Sequence, residues 1–304
     1  MSEGALVSEG SEVSVAAEAG RIAVRKTYKL YVGGAFPRSE SGRTFEVRDY
    51  AGGFLANAAR ASRKDARDAV VAARKAFGGW SGLTAYNRGQ VLYRVAEVLE
   101  GRRAQFASEV RLATGKTEDE ALEEVDAAVD RWVWYAGWAD KIAQVRGGVN
   151  PVAGPFANFS VPEPGGVAAV LAPQDSALLG LVSVVAPAIV GGGTCVVVAS
   201  SDWPLPAITL AEVLATSDLP GGVVNVLTGQ VAEIAPWLAS HMDVNAIDVT
   251  GAPGGLADDL AVAAAGSNLK RVLRLPLADW TAEPGVDRMF GYLETKTIWH
   301  PMGW

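Results

Sequence analysis

"VAAVLAPQDS" (167–176) is a strand-like run of six apolar residues that stops at a proline and runs into polar side chains. The same pattern returns four times downstream, in "CVVVA" (195–199), "VVNVL" (223–227), "NAIDVT" (245–250) and "RVLRL" (271–275), with helical stretches between. Strands alternating with helices predict a parallel, doubly wound α/β sheet. Ligands of such sheets sit beyond the carboxyl ends of the strands, where loops lead into helix N-termini. The loops to inspect are therefore "PQDS" (173–176), "SSDW" (200–203), "TGQV" (228–231) and "TGAPGG" (250–255).

Upstream, "GGVNPVAGPFANFSVPEPGG" (147–166) is rich in Gly and Pro yet holds alternating apolar pieces, and reads as an extended ribbon with two short strands. Before it, Ser62 and Asp65 form a helix-capping pair, and Ala66, Ala69, Val70, Ala73 and Phe77 follow at helical spacing. Two more helices break near Gly101 and stop at Gly115, and a long one follows whose Trp132, Trp134, Tyr135 and Trp138 read as core. "KLYVGGAFPRSESGRTFEVRDY" (29–50) turns at Gly33-Gly34 and Ser41-Gly42, predicting a short antiparallel hairpin. The start of the chain lacks a sustained apolar period, so residues 1–27 read as a mobile leader. The expected divisions are hairpin and helices over 28–142, ribbon strands over 143–162, the α/β part over 163–276, and a linker with a terminal strand over 277–304.

The 304 residues, 49% hydrophobic, suffice for a sizeable core. A formal charge of -7 with scattered cations argues against nucleic acid or an anionic membrane as partner. One cysteine, Cys195, excludes an internal disulfide, and two histidines give no metal-ligand spacing. With no signal-like start and no apolar run long enough to span a bilayer, the expected location is the cytoplasm.

Four ordered motifs resemble the aldehyde dehydrogenase superfamily: "EPGGVAAVLAPQDS" (163–176), "GGGTCVVVASSD" (191–202), "LPGGVVNVLTG" (219–229) and "VTGAPGG" (249–255). The closing "YLETKT" (292–297) is similar to that family's final strand, and "KTIWHP" (296–301) resembles the tail of the degenerate C-terminal module of two-module members. The resemblance implies a Rossmann-like sheet with a β-flap used for oligomerisation. It also implies that a catalytic domain with a nucleophilic cysteine should lie between the last sheet strand and the terminal strand. Only "LADWTAEPGVDRMF" (277–290) stands there, too short for a domain.

The resemblance further implies an oxyanion-binding Asn where Asp175 stands, a ribose-binding Lys where Ala199 stands, and a general-base Glu at Arg274, followed by glycines replaced here by Pro276 and Leu277. A carboxylate repels an oxyanion. Cys195 aligns inside a strand, where it is expected to pack as a small hydrophobe. Asp202, Thr250, Gly251, Gly254 and Gly255 are the candidate remnants of an NAD site; a glycine-demanding tight turn is the preferred reading of the last four.

The expected function is a non-catalytic subunit that assembles with, and stabilises or regulates, a complete NAD(P)-dependent aldehyde dehydrogenase. No cofactor is expected, with vestigial NAD binding in a redox sensor as the alternative and an active oxidoreductase as the second. The expected contact is the flap, through Phe156 and Phe159 on the ribbon and Tyr292, Glu294, Lys296, Ile298 and Trp299 on the terminal strand. Deleting 288–304 is expected to leave the sheet folded and to abolish assembly.

Overall fold

The computed structural model describes residues 26–275 and 279–303. The predicted leader thus lies outside the described residues except at its end, where Thr27 already belongs to β1 (Thr27–Tyr28). β2 (Thr44–Arg48) pairs antiparallel with β3 (Phe54–Ala59), and β3 pairs parallel with β1. This corrects the predicted hairpin. The Gly33-Gly34 turn forms, closed by a Val32–Ala35 bridge, but Thr44–Arg48 pairs forward with β3. Tyr31 bridges Val226, docking the segment on the main sheet.

α1 (Arg63–Ser81) opens on the predicted capping box, in which the Ser62 hydroxyl accepts from the Asp65 amide and the Asp65 carboxylate from the Ser62 amide. α2 (Ala85–Glu100), α3 (Arg103–Thr114) and α4 (Glu118–Trp138) follow, with Gly115 left-handed at φ 76° as the stop of α3. Of the four aromatics read as core, Trp132 and Tyr135 are fully buried, and Trp134 and Trp138 are partly buried against the same core. A short α5 (Ile142–Arg146) leads into β4 (Gly148–Val149) and β5 (Phe156–Pro164).

The α/β series comes next. It comprises β6 (Val167–Leu171), α6 (Leu179–Val190), β7 (Thr194–Val198), α7 (Leu205–Ala215), β8 (Val224–Leu227), α8 (Val231–Ala239), β9 (Ala246–Asp248), α9 (Leu256–Ser267) and β10 (Arg271–Leu273). The strand order is β10-β9-β6-β7-β8, parallel throughout. Residues alternate between two cores. Val167, Ala169, Leu171, Val196 and Val198 pack with α1 and α8, and Ala168, Val170, Cys195 and Val197 pack with α6, α7 and the helices beyond. With both faces covered, all of β6 and β7 is buried, which explains their unbroken apolar sequence. α6 is buried along its whole length between the sheet and α4.

α10 (Asp287–Gly291) and β11 (Leu293–Pro301) close the chain. β11 pairs antiparallel with β5 from Leu293↔Pro164 to Pro301↔Phe156, and β4 adds on the other side, so the predicted ribbon and terminal strand form one three-stranded flap.

Candidate functional site

β8 is followed in sequence by β9, which lies on the opposite side of β6, so the sheet order reverses between β6 and β9. In doubly wound sheets the ligand crevice opens at that point. Its walls are the β6–α6 and β9–α9 loops, and here they touch. The Gly251 amide donates to the Leu171 carbonyl at 3.1 Å. A Cβ on Gly251 would lie 1.9 Å from the Ala172 oxygen, so backbone contact is what demands glycine there. Gly254 takes a left-handed turn at φ 51°, and Gly255 caps α9 without a side chain.

Thr250 is occupied as well. Its hydroxyl donates to Asp248 Oδ1 at 2.5 Å and accepts from Arg288 at 2.9 Å. Asp248, fully buried, also pairs with Arg288 through Oδ2 and accepts from the Tyr292 hydroxyl at 2.9 Å. Burial, then the Asp248 charge, raises the Tyr292 pKa well above that of an ordinary tyrosine. Tyr292 therefore belongs to the core, which corrects its assignment to the flap interface. Deleting 288–304 would strip Arg288 and Tyr292 from Asp248, so the sheet is not expected to survive that deletion, contrary to the sequence reading.

Arg274 is exposed and bonds the first turn of α9, pairing with Asp258 Oδ1 at 2.6 Å and donating to the Ala257 carbonyl at 3.0 Å. Pro276 and Leu277 lie outside the described residues. Asp202 lines a pocket with Tyr28, Glu109 and Trp203, and none of Thr250, Gly251, Gly254 or Gly255 is among that pocket's walls. Cys195 is buried in β7, where desolvation pushes its thiol far above the ordinary range.

Asp175 Oδ1 accepts from the Trp280 indole at 3.0 Å, which brings the linker over the start of the β6–α6 loop. Arg131 on α4 holds the same linker, donating to the Trp280 and Ala282 carbonyls at 2.7 and 3.0 Å and also bonding Ser183. Two groups that sequence reasoning missed shape this end of the sheet. The Gln174 amide donates to the Ala172 carbonyl at 2.8 Å and accepts from the Ser201 amide at 2.9 Å and the Ser200 hydroxyl at 3.1 Å, tying two loops together. Glu124 Oε1 accepts from the Leu178 and Leu179 amides at 2.9 and 3.2 Å, capping α6 from a different helix. Burial of Glu124 favours its neutral form, but the paired Lys116 ammonium and these amides outweigh it and hold the pKa below the usual value. The visible signal for both was a polar residue beside an apolar run; their partners were not visible.

On the flap, register places Val149 beside Phe159 and Phe159 beside Ile298. The three form an exposed apolar row, at 74%, 38% and 41% exposure. Lys296 pairs with Glu163 at 3.0 Å next to that row, and Glu294 is exposed on the same face. Phe156 and Trp299 meet on the opposite face with ring centroids 5.8 Å apart. Among the described residues, no group of His, Cys, Asp and Glu could hold a metal ion, and no helix is long and apolar enough to cross a membrane.

Residues 36–274 match the aldehyde dehydrogenase family. Cytosolic aldehyde dehydrogenase 1 of Elephantulus edwardii is 33% identical over 249 residues, covering 80% of this chain and 49% of that protein. Mitochondrial aldehyde dehydrogenase family 2 member B4 of Arabidopsis thaliana is 36% identical over 248 residues, covering 80% and 45%. The crystal structure of the aldehyde dehydrogenase KauB from Pseudomonas aeruginosa superposes with a TM-score of 0.75 at 32% identity, covering 81% of this chain and 50% of that one. The chain spans about half the length of the curated relatives it matches.

Proposed function

The chain belongs to the aldehyde dehydrogenase family, and we propose that within it this protein is a subunit without chemistry of its own. It assembles through its flap with a complete NAD(P)-dependent aldehyde dehydrogenase and stabilises or regulates it. The observation that carries this reading is the bond between Trp280 and Asp175. At the position where the resemblance implies an oxyanion donor stands an acceptor, engaged by the connection that leads from β10 back to the flap. A carboxylate there disfavours a developing negative charge. Cys195 is buried with a raised pKa, and Arg274 brings a cation to the general-base position. The proposal includes no cofactor: Thr250 and Gly251 bond within the fold, and Asp202 lines a separate pocket.

The flap supports the assembly half of the proposal. Its Val149–Phe159–Ile298 row is apolar, exposed and continuous across three strands, the kind of surface that a partner covers. The test is co-expression with a tagged complete aldehyde dehydrogenase. The wild-type chain co-purifies, while a Phe159→Glu/Ile298→Glu variant with unchanged circular dichroism does not. If the variant assembles as well as wild type, the flap is not the contact. Calorimetric titration with NAD gives no heat on this reading; micromolar binding would favour a redox sensor, and NADH production from an aldehyde by the purified chain would overturn the non-catalytic assignment.

A further inference from the structure

The first turns of α1 and the end of α8 enclose a groove of about 670 Å³. None of its lining residues belongs to the loops at the carboxyl ends of the strands. α1 brings Arg63, Lys64 and Arg67 to one wall, and α8 with the turn after it brings Trp237, His241 and Met242 to the other. Glu40 adds an acid that is already engaged: one oxygen accepts from the Ser62 hydroxyl at 3.0 Å, and the other faces Lys64 at 3.5 Å. In a chain of formal charge -7, this groove is lined, among the described residues, by three basic side chains against one acid.

The donors on these walls suit an oxyanion. The Arg63 guanidinium carbon lies 4.2 Å from the centre of the Trp237 ring, and among the described residues no acceptor engages its N–H groups. Stacking holds a guanidinium flat and leaves its N–H edge open to a bidentate oxyanion. His241 Nδ1 accepts from the Asp243 amide at 3.1 Å, so the neutral ring carries its proton on Nε2, a further donor. Arg67 is paired with its neighbour Asp68 at 2.7 Å, an exposed pair that costs little to exchange. The Lys64 and Asp65 amides take no part, because Ser62 already accepts from both. Beside these donors, Trp237 and Met242 are 42% and 65% exposed. We propose that the groove binds a nucleoside monophosphate, its terminal phosphate on Arg63 and Arg67 and its base against Trp237 and Met242. Such a phosphate carries about 1.5 to 2 negative charges near neutral pH, and a flat base stacks on the indole surface that Arg63 leaves open. The volume lies within the range that small-molecule sites occupy. NAD offers no terminal phosphate, since both of its phosphates are esterified on two sides, so this site and the sheet crevice are tested separately.

Adenosine monophosphate, adenosine and inorganic phosphate, each titrated calorimetrically into the full chain, test it. Adenosine monophosphate is expected to bind one-to-one, and the other two about tenfold or more weaker, since each lacks one half of the recognition. Arg63→Gln should weaken adenosine monophosphate by about tenfold. Trp237→Leu, which removes the stacking ring and keeps apolar bulk, should weaken it by about the same factor. Both positions are exposed and lie on different helices, so either variant with unchanged circular dichroism keeps the test decisive. Absence of adenosine monophosphate binding overturns the proposal, as does equal affinity for adenosine or inorganic phosphate, or binding indifferent to both substitutions.

Discussion

Asp248 holds together more of this molecule than any residue named from the sequence. It is fully buried, and its partners Thr250, Arg288 and Tyr292 come from the crevice loop, the last helix and the root of the flap. Asp248→Asn leaves the Arg288 guanidinium buried without a counter-charge, which costs about 3–5 kcal/mol; the urea midpoint of the variant should fall accordingly. Glu124 gives a pH signature. Its folded pKa is lowered, so its contribution is fully present above the unfolded carboxylate value of about 4.3 and is lost as pH falls through the folded value beneath it. The stability gap between wild type and Glu124→Gln should therefore be widest near neutrality and close in acid, as read from denaturant midpoints across pH. Neither residue could be found from sequence. Asp248 meets Arg288 across 40 positions and Glu124 meets Leu178 across 54. What could be read were substitutions at positions defined by the resemblance, Asp175 and Arg274, but not that each would be bonded to a neighbouring element.

Among the elements, β6 and β7 were legible because burial on both faces forces an unbroken apolar run, and all five sheet strands lie within two residues of their expected spans. β3 was not. "FLANAA" is made largely of small residues and pairs with partners on either side, so its pattern carries little of its neighbours' signal. The β9–α9 loop shows the same distinction between visible and invisible causes. Glycine at 251 was expected for a tight turn, and it is required instead because the loop lies directly on the end of β6. Gly251→Ala must push the loop off the Ala172 carbonyl and should destabilise by about 2 kcal/mol or more, with loss of amide-exchange protection concentrated at residues 249–255. At the flap, Glu294, Lys296, Ile298 and Trp299 are exposed on β11, and of the residues expected at the contact Tyr292 alone is buried, where the strand has not yet left the core.

At the scale of the whole molecule, the segment carrying Trp280 ties α4, the β6–α6 loop and the last helix together: Arg131, Asp175 and Arg288 all engage it. Trp280→Ala removes both the indole bond and the ring beneath Arg288, and should loosen residues 279–290 to proteolysis while leaving the circular dichroism of the sheet unchanged. On the proposed assembly, a complete enzyme would bind only the folded chain, so the thermal midpoint should climb with partner concentration, and the Phe159→Glu/Ile298→Glu variant should show no such climb. The pairing of β5 with β11 sets an order of events as well as a shape. Ser160 and Thr297 are bonded across 137 positions, with the whole parallel sheet encoded between them. As the chain emerges from the ribosome, β5 is made before β6 to β10 and then waits with an open edge until β11 appears. During that interval its Phe156 and Phe159 are open to any other strand, including β5 of a second nascent chain. In refolding, fluorescence from Trp299 should consequently report a slower phase than the far-UV signal of the helices, and crowding of unfinished chains should favour swapped flaps over closed ones.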